Sequence, residues 1–113
     1  PSNKERQFFY SFDNLSKMPT PKTGCDIKEM LNAYDSDILK TFFEYKGLDT
    51  ALIERVLSSN EPYKINHLKI DGKMLLELGF KGEKIGEILE HLRKVVIKEP
   101  HKNTKENLLK EIP

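Results

Sequence analysis

The fold is decided by residues 68–89, which read LKIDGKMLLELGFKGEKIGEIL. Asp71 is a residue type that caps helix N-termini, and Gly79 supplies the left-handed backbone that ends a helix without a side-chain clash. Gly82 has no side chain, so the chain can pass close to another backbone segment before the next helix begins. The stretch therefore predicts a short helix, a basic turn bracketed by glycines and a longer helix. The positive end of the second helix points toward residues 80–84, where backbone amides and lysines can meet phosphate.

The composition is typical of a globular chain. Of 113 residues, 37% are hydrophobic and 33% are charged, which predicts one domain or two small lobes sharing a core. No apolar run approaches the roughly 20 residues that a bilayer requires, so we expect no membrane partner. The single cysteine, Cys25, predicts a reduced, cytoplasmic setting, and no secretory signal precedes it. The chain begins at Pro1 without a methionine, which is consistent with an excised fragment and equally with a processed protein.

The net charge of +1 means that any phosphate binding must come from a local patch. Lysines gather around the glycine turn, and a second basic group with few carboxylates follows it. The two groups are Lys69, Lys73, Lys81 and Lys84, and then Arg93, Lys94, Lys98, Lys102 and Lys105. A solvated helix surface carries the same residue types, so the charge pattern alone leaves both interpretations open.

Hydrophobic periodicity predicts an all-α fold, an irregular bundle of about six short helices that contains the helix-glycine turn-helix unit. The predicted parts are residues 1–25, an N-terminal segment and linker, residues 26–60, a first helical part, and residues 61–113, a second helical part. Residues 5–10 read as a short helix, and the two prolines within residues 18–24 break regular structure. Residues 63–68 read as an irregular entry or a single helical turn.

Polar residues at helix ends refine these boundaries. Thr23 and Asp26 have the spacing of a capping box at the start of one helix. Asn103, with Glu106 three residues later, predicts the start of the last helix.

The sequence predicts no catalytic site, no metal site and no cofactor in this stretch. Asp35 and Asp37 resemble the paired carboxylates that hold magnesium, but they begin a predicted helix, where acidic residues satisfy free amides. Capping is therefore the favoured interpretation. The three histidines match no zinc spacing with the cysteine; they are His67, His91 and His101.

Two interpretations of the glycine turn stay open. In the first, its glycines serve only the architecture, with Phe80 buried against the helix pair and Gly86 allowing close helix packing. In the second, the amides of residues 82–85 accept a phosphate beside two lysines. A helix-hairpin-helix motif uses the same physics with a Gly-apolar-Gly turn, whereas Lys81 adds a residue here. The glycines with an architectural role are Gly72, Gly79 and Gly86.

One spacing pattern resembles a known family. It reads Leu68-x-Ile70-x-Gly72-x-x-Leu75-x-x-Leu78-Gly79-x-x-Gly82-x-x-Ile85-Gly86-x-Ile88-Leu89-x-x-Leu92, followed by Val95, Val96 and Asn103. This pattern is similar to the C-terminal region of bacterial CCA-adding tRNA nucleotidyltransferases, of the class that includes poly(A) polymerases. The resemblance covers residues 68–112 and implies a tail-like role for residues 61–113. More loosely, residues 26–46 are similar to the helical body that precedes the tail.

The resemblance implies the tRNA-holding end of such an enzyme. In that family an N-terminal head holds the catalytic carboxylates, a neck selects CTP or ATP, and the body and tail hold the backbone of the tRNA acceptor stem and elbow. Neither the head's carboxylate pattern nor the neck's template appears in this sequence. Mg²⁺ and CTP or ATP are therefore expected only in a head encoded upstream, and tRNA is the partner expected of this stretch.

The resemblance, with the basic turn, singles out candidate RNA-binding residues. They are Lys73, Lys81, Gly82, Lys84, Arg93 and Lys94. The alternative is a helical protein-interaction module, or a helix-hairpin-helix DNA-binding domain, with no enzymatic parent. In the interaction module an aromatic cluster would dock the partner, namely Phe8, Phe9, Tyr10 and Phe12. The oligomeric state stays open.

Overall fold

The computed structural model describes residues 3–113, and side chains from Arg6 onward, and every regular element in that range is helical. The α-helices are α1 (Asn3–Ser16), α2 (Gly24–Ala33), α3 (Ser36–Tyr45), α4 (Ala51–Ser59), α5 (Gly72–Glu77), α6 (Glu83–Lys98) and α7 (Lys105–Glu111). Two 3₁₀ turns, Ile65–His67 and Pro100–Lys102, complete the secondary structure of the described range. The predicted all-α fold is confirmed. None of the helices in residues 3–113 combines the length and apolar character needed to cross a bilayer.

The chain divides into two compact units after Asn60. The first unit contains α1 to α4, and the second, Glu61–Pro113, contains α5 to α7 with both 3₁₀ turns. The buried apolar side chains of the first unit are Leu15, Ile27, Met30, Leu31, Leu39, Phe42, Phe43, Ile53 and Val56. Those of the second unit include Leu68, Ile70, Leu75, Ile88, Leu89, Leu92, Val96 and Leu108.

Helix α1 is longer than the sequence predicts. The expected helix covers residues 5–10, whereas α1 continues to Ser16. Its last two turns carry Leu15, which is 2% exposed, and Phe12, whose ring meets Phe42 of α3 edge-on with 5.2 Å between centroids. Burial against other helices stabilises a helix more than its own residue preferences do, and this sequence has no clear period in that region to reveal it.

Polar side chains cap α2 and α3 as predicted. Thr23 Oγ1 accepts the Asp26 N–H at 3.2 Å, and the Asp26 carboxylate accepts the Thr23 N–H at 3.2 Å, which completes the capping box. The backbone N–H groups of Lys22 and Thr23 lower the pKa of the Asp26 carboxyl. At the start of α3, Asp35 Oδ1 accepts the Asp37 N–H at 2.9 Å, so the capping role of Asp35 is confirmed.

The last helix begins differently from the prediction. Thr104, not Asn103, is the N-cap of α7, and its hydroxyl accepts the Asn107 N–H at 3.1 Å. Asn103 instead bridges two distant segments of the second unit. Its Nδ2 donates to the His67 carbonyl at 3.0 Å, and its Oδ1 accepts the Lys69 N–H at 3.0 Å. Both contacts span more than 30 residues, so no local pattern could have revealed them.

The prediction of a single helical turn within residues 63–68 is confirmed by the 3₁₀ turn Ile65–His67. His67 Nδ1 accepts two backbone hydrogen bonds, from the N–H groups of Tyr63 and Lys64, each at 3.2 Å. The imidazole also meets the Tyr63 ring edge-on with 4.7 Å between centroids. An acceptor at Nδ1 requires a neutral ring. Burial, and then the charge of Lys64, hold the pKa of His67 below its ordinary value of 6.5.

We predict that Asn103→Ala lowers the free energy of unfolding by about 1 to 3 kcal/mol, since it leaves a carbonyl and an amide without their partner. Urea denaturation followed by circular dichroism measures this change. The matched control is Asn66→Ala, because Asn66 is exposed on the 3₁₀ turn. Equal stability of the two variants would show that the Asn103 bridge contributes nothing.

We also predict that His67 makes stability pH-dependent. Its folded-state pKa is lowered, so its contribution is complete above about pH 6.5 and is lost as the pH falls through the folded-state value. The stability difference between wild type and His67→Gln, measured by urea denaturation, should therefore shrink as the pH is lowered from 7.5 to 5. His101→Gln is the matched control, because it makes the same change at an exposed histidine. Parallel profiles for wild type and His67→Gln would contradict this account.

Candidate nucleic-acid interface

The turn between α5 and α6 begins with a Schellman motif. Gly79 has a φ of +102°, in the left-handed region where other residues are strained. Its N–H donates to the Leu76 carbonyl at 3.0 Å, and the Phe80 N–H donates to the Leu75 carbonyl at 3.1 Å. Phe80 also packs against the buried cluster that contains Leu75. The predictions that Gly79 ends α5 and that Phe80 packs against the core are confirmed.

The turn ends at Gly82, which occupies the N-cap of α6 with a φ of +58° and a ψ of −133°. Glycine has no side chain to accept a helix amide. The Ile85 N–H, one of the amides predicted to be free, donates to the Gly82 carbonyl at 3.2 Å. Within residues 3–113, the N–H groups of Gly82, Glu83 and Lys84 have no hydrogen-bond partner. Three donors therefore remain at the positive end of a 16-residue helix.

Exposed lysines lie next to these amides in the sequence. Lys81 and Lys84 are exposed, and neither forms an ion pair with any residue that the structure describes. Lys73 follows Gly72, where an added Cβ would lie 3.4 Å from Cγ2 of Ile85 in the first turn of α6. Lys81 and Lys84 thus flank the free amides in sequence, with Glu83 between them, and Lys73 lies in the first turn of α5, which begins beside the first turn of α6.

Arg93 does not belong to this surface. The residue is 3% exposed, and its side chain forms a bidentate ion pair with Glu90, with Nη2 2.5 Å and Nε 3.0 Å from the two carboxylate oxygens. Nη1 also donates to the Tyr63 carbonyl at 3.3 Å. The guanidinium thus holds the start of the second unit against α6, and the prediction of Arg93 as a phosphate neighbour is corrected. An arginine side chain can bury its aliphatic part in this way. The sequence alone does not distinguish this structural role from phosphate binding.

Two other predicted residues lie on α6. Lys94 is exposed, but it follows Lys84 by ten residues along α6, which places it about 15 Å further along the helix axis. Gly86 is exposed, and an added Cβ would meet no described atom within 4 Å. The prediction of close packing at Gly86 is therefore wrong. The close approach of the two helices occurs at Gly72 instead.

Two leucines beside the turn are exposed, and the sequence predicts no binding role for either of them. Leu76 is 57% exposed and Leu78 is 56% exposed, whereas Leu75 is fully buried. A helix of six residues has one core-facing side, so a nearly continuous apolar run over residues 74–78 has to expose some of its members. That apolar run is the feature of the sequence that could have indicated exposed leucines at this position.

The paired carboxylates of the first unit have a structural role. Asp35 and Asp37 line an open cavity of about 420 Å³ together with Phe8 and Thr41. Asp35 is occupied as the cap of α3. Among the side chains that the structure describes, residues 6–113, there is no group of three or more His, Cys, Asp or Glu arranged to hold a metal ion. The capping contact accounts for the position of this pair.

Comparison with known proteins gives no relative from which a role could be transferred. The chain matches no protein-family model, no curated protein and no solved structure. The function proposed below therefore depends on the sequence pattern and on the geometry of the turn.

We predict opposite effects of alanine at the two glycines that flank the first turn of α6. Gly82→Ala should destabilise the protein by about 1 to 3 kcal/mol, because its backbone conformation strains any residue with a Cβ. Gly86→Ala should stabilise it by about 0.5 to 1 kcal/mol, because alanine is the better helix former and the space is open. Thermal denaturation measures both. Equal melting temperatures would mean that Gly82 does not hold this conformation in solution.

Proposed function

We propose that the chain is the tRNA-binding C-terminal portion of a CCA-adding tRNA nucleotidyltransferase. In this proposal it holds the backbone of the tRNA acceptor stem and elbow while an N-terminal head, outside this sequence, adds the CCA 3′ end. Mg²⁺ and CTP or ATP would be bound by that head. A cytoplasmic location, where tRNA is processed, belongs to the same proposal and agrees with the single cysteine.

The observation that carries the proposal is the set of three free amides at the start of α6. Backbone N–H groups at a helix N-terminus bind phosphate oxygens, since they are fixed donors at the positive end of the helix dipole. Lys81 and Lys84 add the charge that attracts a nucleic-acid backbone. Contacts of this kind hold the backbone without reading sequence, which suits a protein that must accept many tRNAs.

The sequence resemblance supports the same conclusion, because its glycines coincide with the structural features of the turn. Gly79 and Gly82 are both in the resemblance pattern, and both have a positive φ. Gly72, also in the pattern, is the point where α5 lies against the first turn of α6. The pattern therefore coincides with the residues that expose the amides.

The exposed leucines favour a second candidate, a protein-interaction module. Leu76 and Leu78 give the rim of the turn an apolar character that suits a protein partner. Salt separates the two candidates. Binding to phosphates weakens with a slope of about 0.7 to 0.9 per phosphate on a plot of log affinity against log salt concentration, whereas an apolar interface responds little.

We predict that Lys81→Glu combined with Lys84→Glu weakens binding of folded tRNA and lowers the salt slope by about 1.4 to 1.8, the share of two phosphates. Fluorescence anisotropy with end-labelled tRNA measures both quantities. Far-ultraviolet circular dichroism should stay unchanged, because both side chains are exposed.

The matched control combines Lys98→Glu with Lys105→Glu, which makes the same charge change at exposed positions of the same unit. Lys98 lies 14 residues beyond Lys84, about 21 Å along α6. This variant should lose much less affinity. Equal tRNA affinity for wild type and the Lys81/Lys84 variant would remove the turn from the binding site. Preference for duplex DNA over tRNA would favour a helix-hairpin-helix DNA-binding domain instead.

A further inference from the structure

Residues 63–67, which we call the histidine turn, close around one imidazole nitrogen. His67 Nδ1 lies 3.2 Å from the backbone nitrogens of both Tyr63 and Lys64 and accepts a hydrogen bond from each. The His67 N–H in turn donates to the Lys64 carbonyl at 3.0 Å. Because Nδ1 faces two donors, the proton of the neutral ring has to be on Nε2. One acceptor atom thus holds the start of the histidine turn to its end.

The middle of the histidine turn contributes little to the core. Lys64, Ile65 and Asn66 are all exposed. The chain is anchored on either side of the turn, since Pro62 is buried and Leu68 belongs to the buried cluster of the second unit. Between these two anchors the backbone is held mainly by polar contacts. A segment with few buried apolar contacts can open locally while the rest of the unit stays folded.

Charged groups around the imidazole come from the turn and from the elements beside it. Burial, and then the charge of Lys64, hold the pKa of His67 below its ordinary value of 6.5. On α6, which packs against the turn, Arg93 binds the Tyr63 carbonyl and is paired with Glu90. Glu61, just before the turn, is exposed. The other charged groups near the Asn103 bridge are Lys69, exposed His101, and Lys102, which is paired with Glu99 and Glu111.

We infer that the histidine turn is a pH-sensitive switch, closed while His67 Nδ1 is an acceptor and opened when that nitrogen gains a proton. The proton makes Nδ1 a donor, which then faces the N–H groups of Tyr63 and Lys64. Neither amide keeps a partner in that arrangement, and the positive ring lies near the Lys64 ammonium. The turn is therefore closed above about pH 6.5 and opens as the pH falls through the lowered pKa.

Opening should be confined to the histidine turn. Leu68 and Ile70 remain in the buried cluster, so α5 and the glycine turn after it keep their geometry. The histidine turn follows closely on the boundary between the two units. Protonation of His67 thus decides whether the chain enters the second unit as a fixed turn or as a flexible segment. This inference does not depend on RNA as the partner.

The test measures backbone order in the full chain by ¹⁵N NMR relaxation at pH 7.5 and pH 5. At pH 7.5 the order parameters of residues 63–67 should be close to about 0.85, the value of rigid backbone, and at pH 5 they should fall below about 0.6. Residues 88–96 of α6 should stay rigid at both pH values. The ¹⁵N shifts of the His67 ring at pH 7.5 should show a proton on Nε2 and none on Nδ1.

His67→Asn is the decisive variant, because its Oδ1 can accept the same two hydrogen bonds and does not titrate. It should keep the histidine turn ordered at pH 5. The matched control His101→Asn, at an exposed histidine, should lose order at pH 5 as the wild type does.

Four results would overturn the inference. The first is a wild-type histidine turn that is equally ordered at pH 7.5 and pH 5. The second is a proton on Nδ1 of His67 at pH 7.5, which is measured on the wild type and does not depend on any variant. The third is loss of order at pH 5 in His67→Asn, which would assign the opening to another titrating group. The fourth is simultaneous loss of order in α6, which would mean that the whole unit unfolds.

Discussion

The geometry of the second unit depends on two backbone conformations that only glycine adopts without strain. Gly79 ends α5 with a φ of +102°, and Gly82 begins α6 with a φ of +58°. A residue with a Cβ would cost about 1 to 3 kcal/mol at each position. The first conformation turns Phe80 into the core through the Schellman motif. The conformation of Gly82 starts α6 without a capping side chain. The same turn that packs α5 against α6 therefore leaves the first amides of α6 free.

Polar contacts from α6 and the segment beyond it hold the chain that leads into α5. Arg93 binds the Tyr63 carbonyl, and Asn103 binds the His67 carbonyl and the Lys69 amide. The segment before α5 is thus fixed at three points along its length. Fixed donors bind an anion more tightly than mobile ones, because less conformational freedom is lost on binding. These contacts therefore connect the stability of the second unit to the proposed recognition of phosphate.

Much of this architecture could be predicted from the sequence. Local rules suffice for the helix ends: Gly79 has to be left-handed to stop α5, and the Thr23 and Asp26 side chains satisfy amides within four residues of themselves. The helical period of residues 85–96 likewise predicts which face of α6 is buried. These predictions succeed because the interactions behind them are short in sequence.

The rest depends on contacts between distant residues. Arg93 has a side chain that is suited to binding phosphate. Only its contacts with Glu90 and the Tyr63 carbonyl show that it is a buried structural residue. Asn103 has the spacing of a helix cap, but its partners lie 34 and 36 residues away. The aromatic residues of α1 could be read as a partner-binding cluster, but their supporting contacts with α3 could not. The sequence shows which residue types occur and at what spacing, but the tertiary contacts decide which role each residue has.

The central claim is that the amides at the start of α6 are free donors for an RNA backbone. Amide hydrogen exchange, resolved residue by residue by NMR, tests it directly. In the free protein, the amides of Gly82, Glu83 and Lys84 should exchange much faster than those of residues 88–96 within α6, and saturating tRNA should slow their exchange selectively. Slow exchange of the three amides without tRNA, or unchanged exchange when tRNA is bound, would contradict the account.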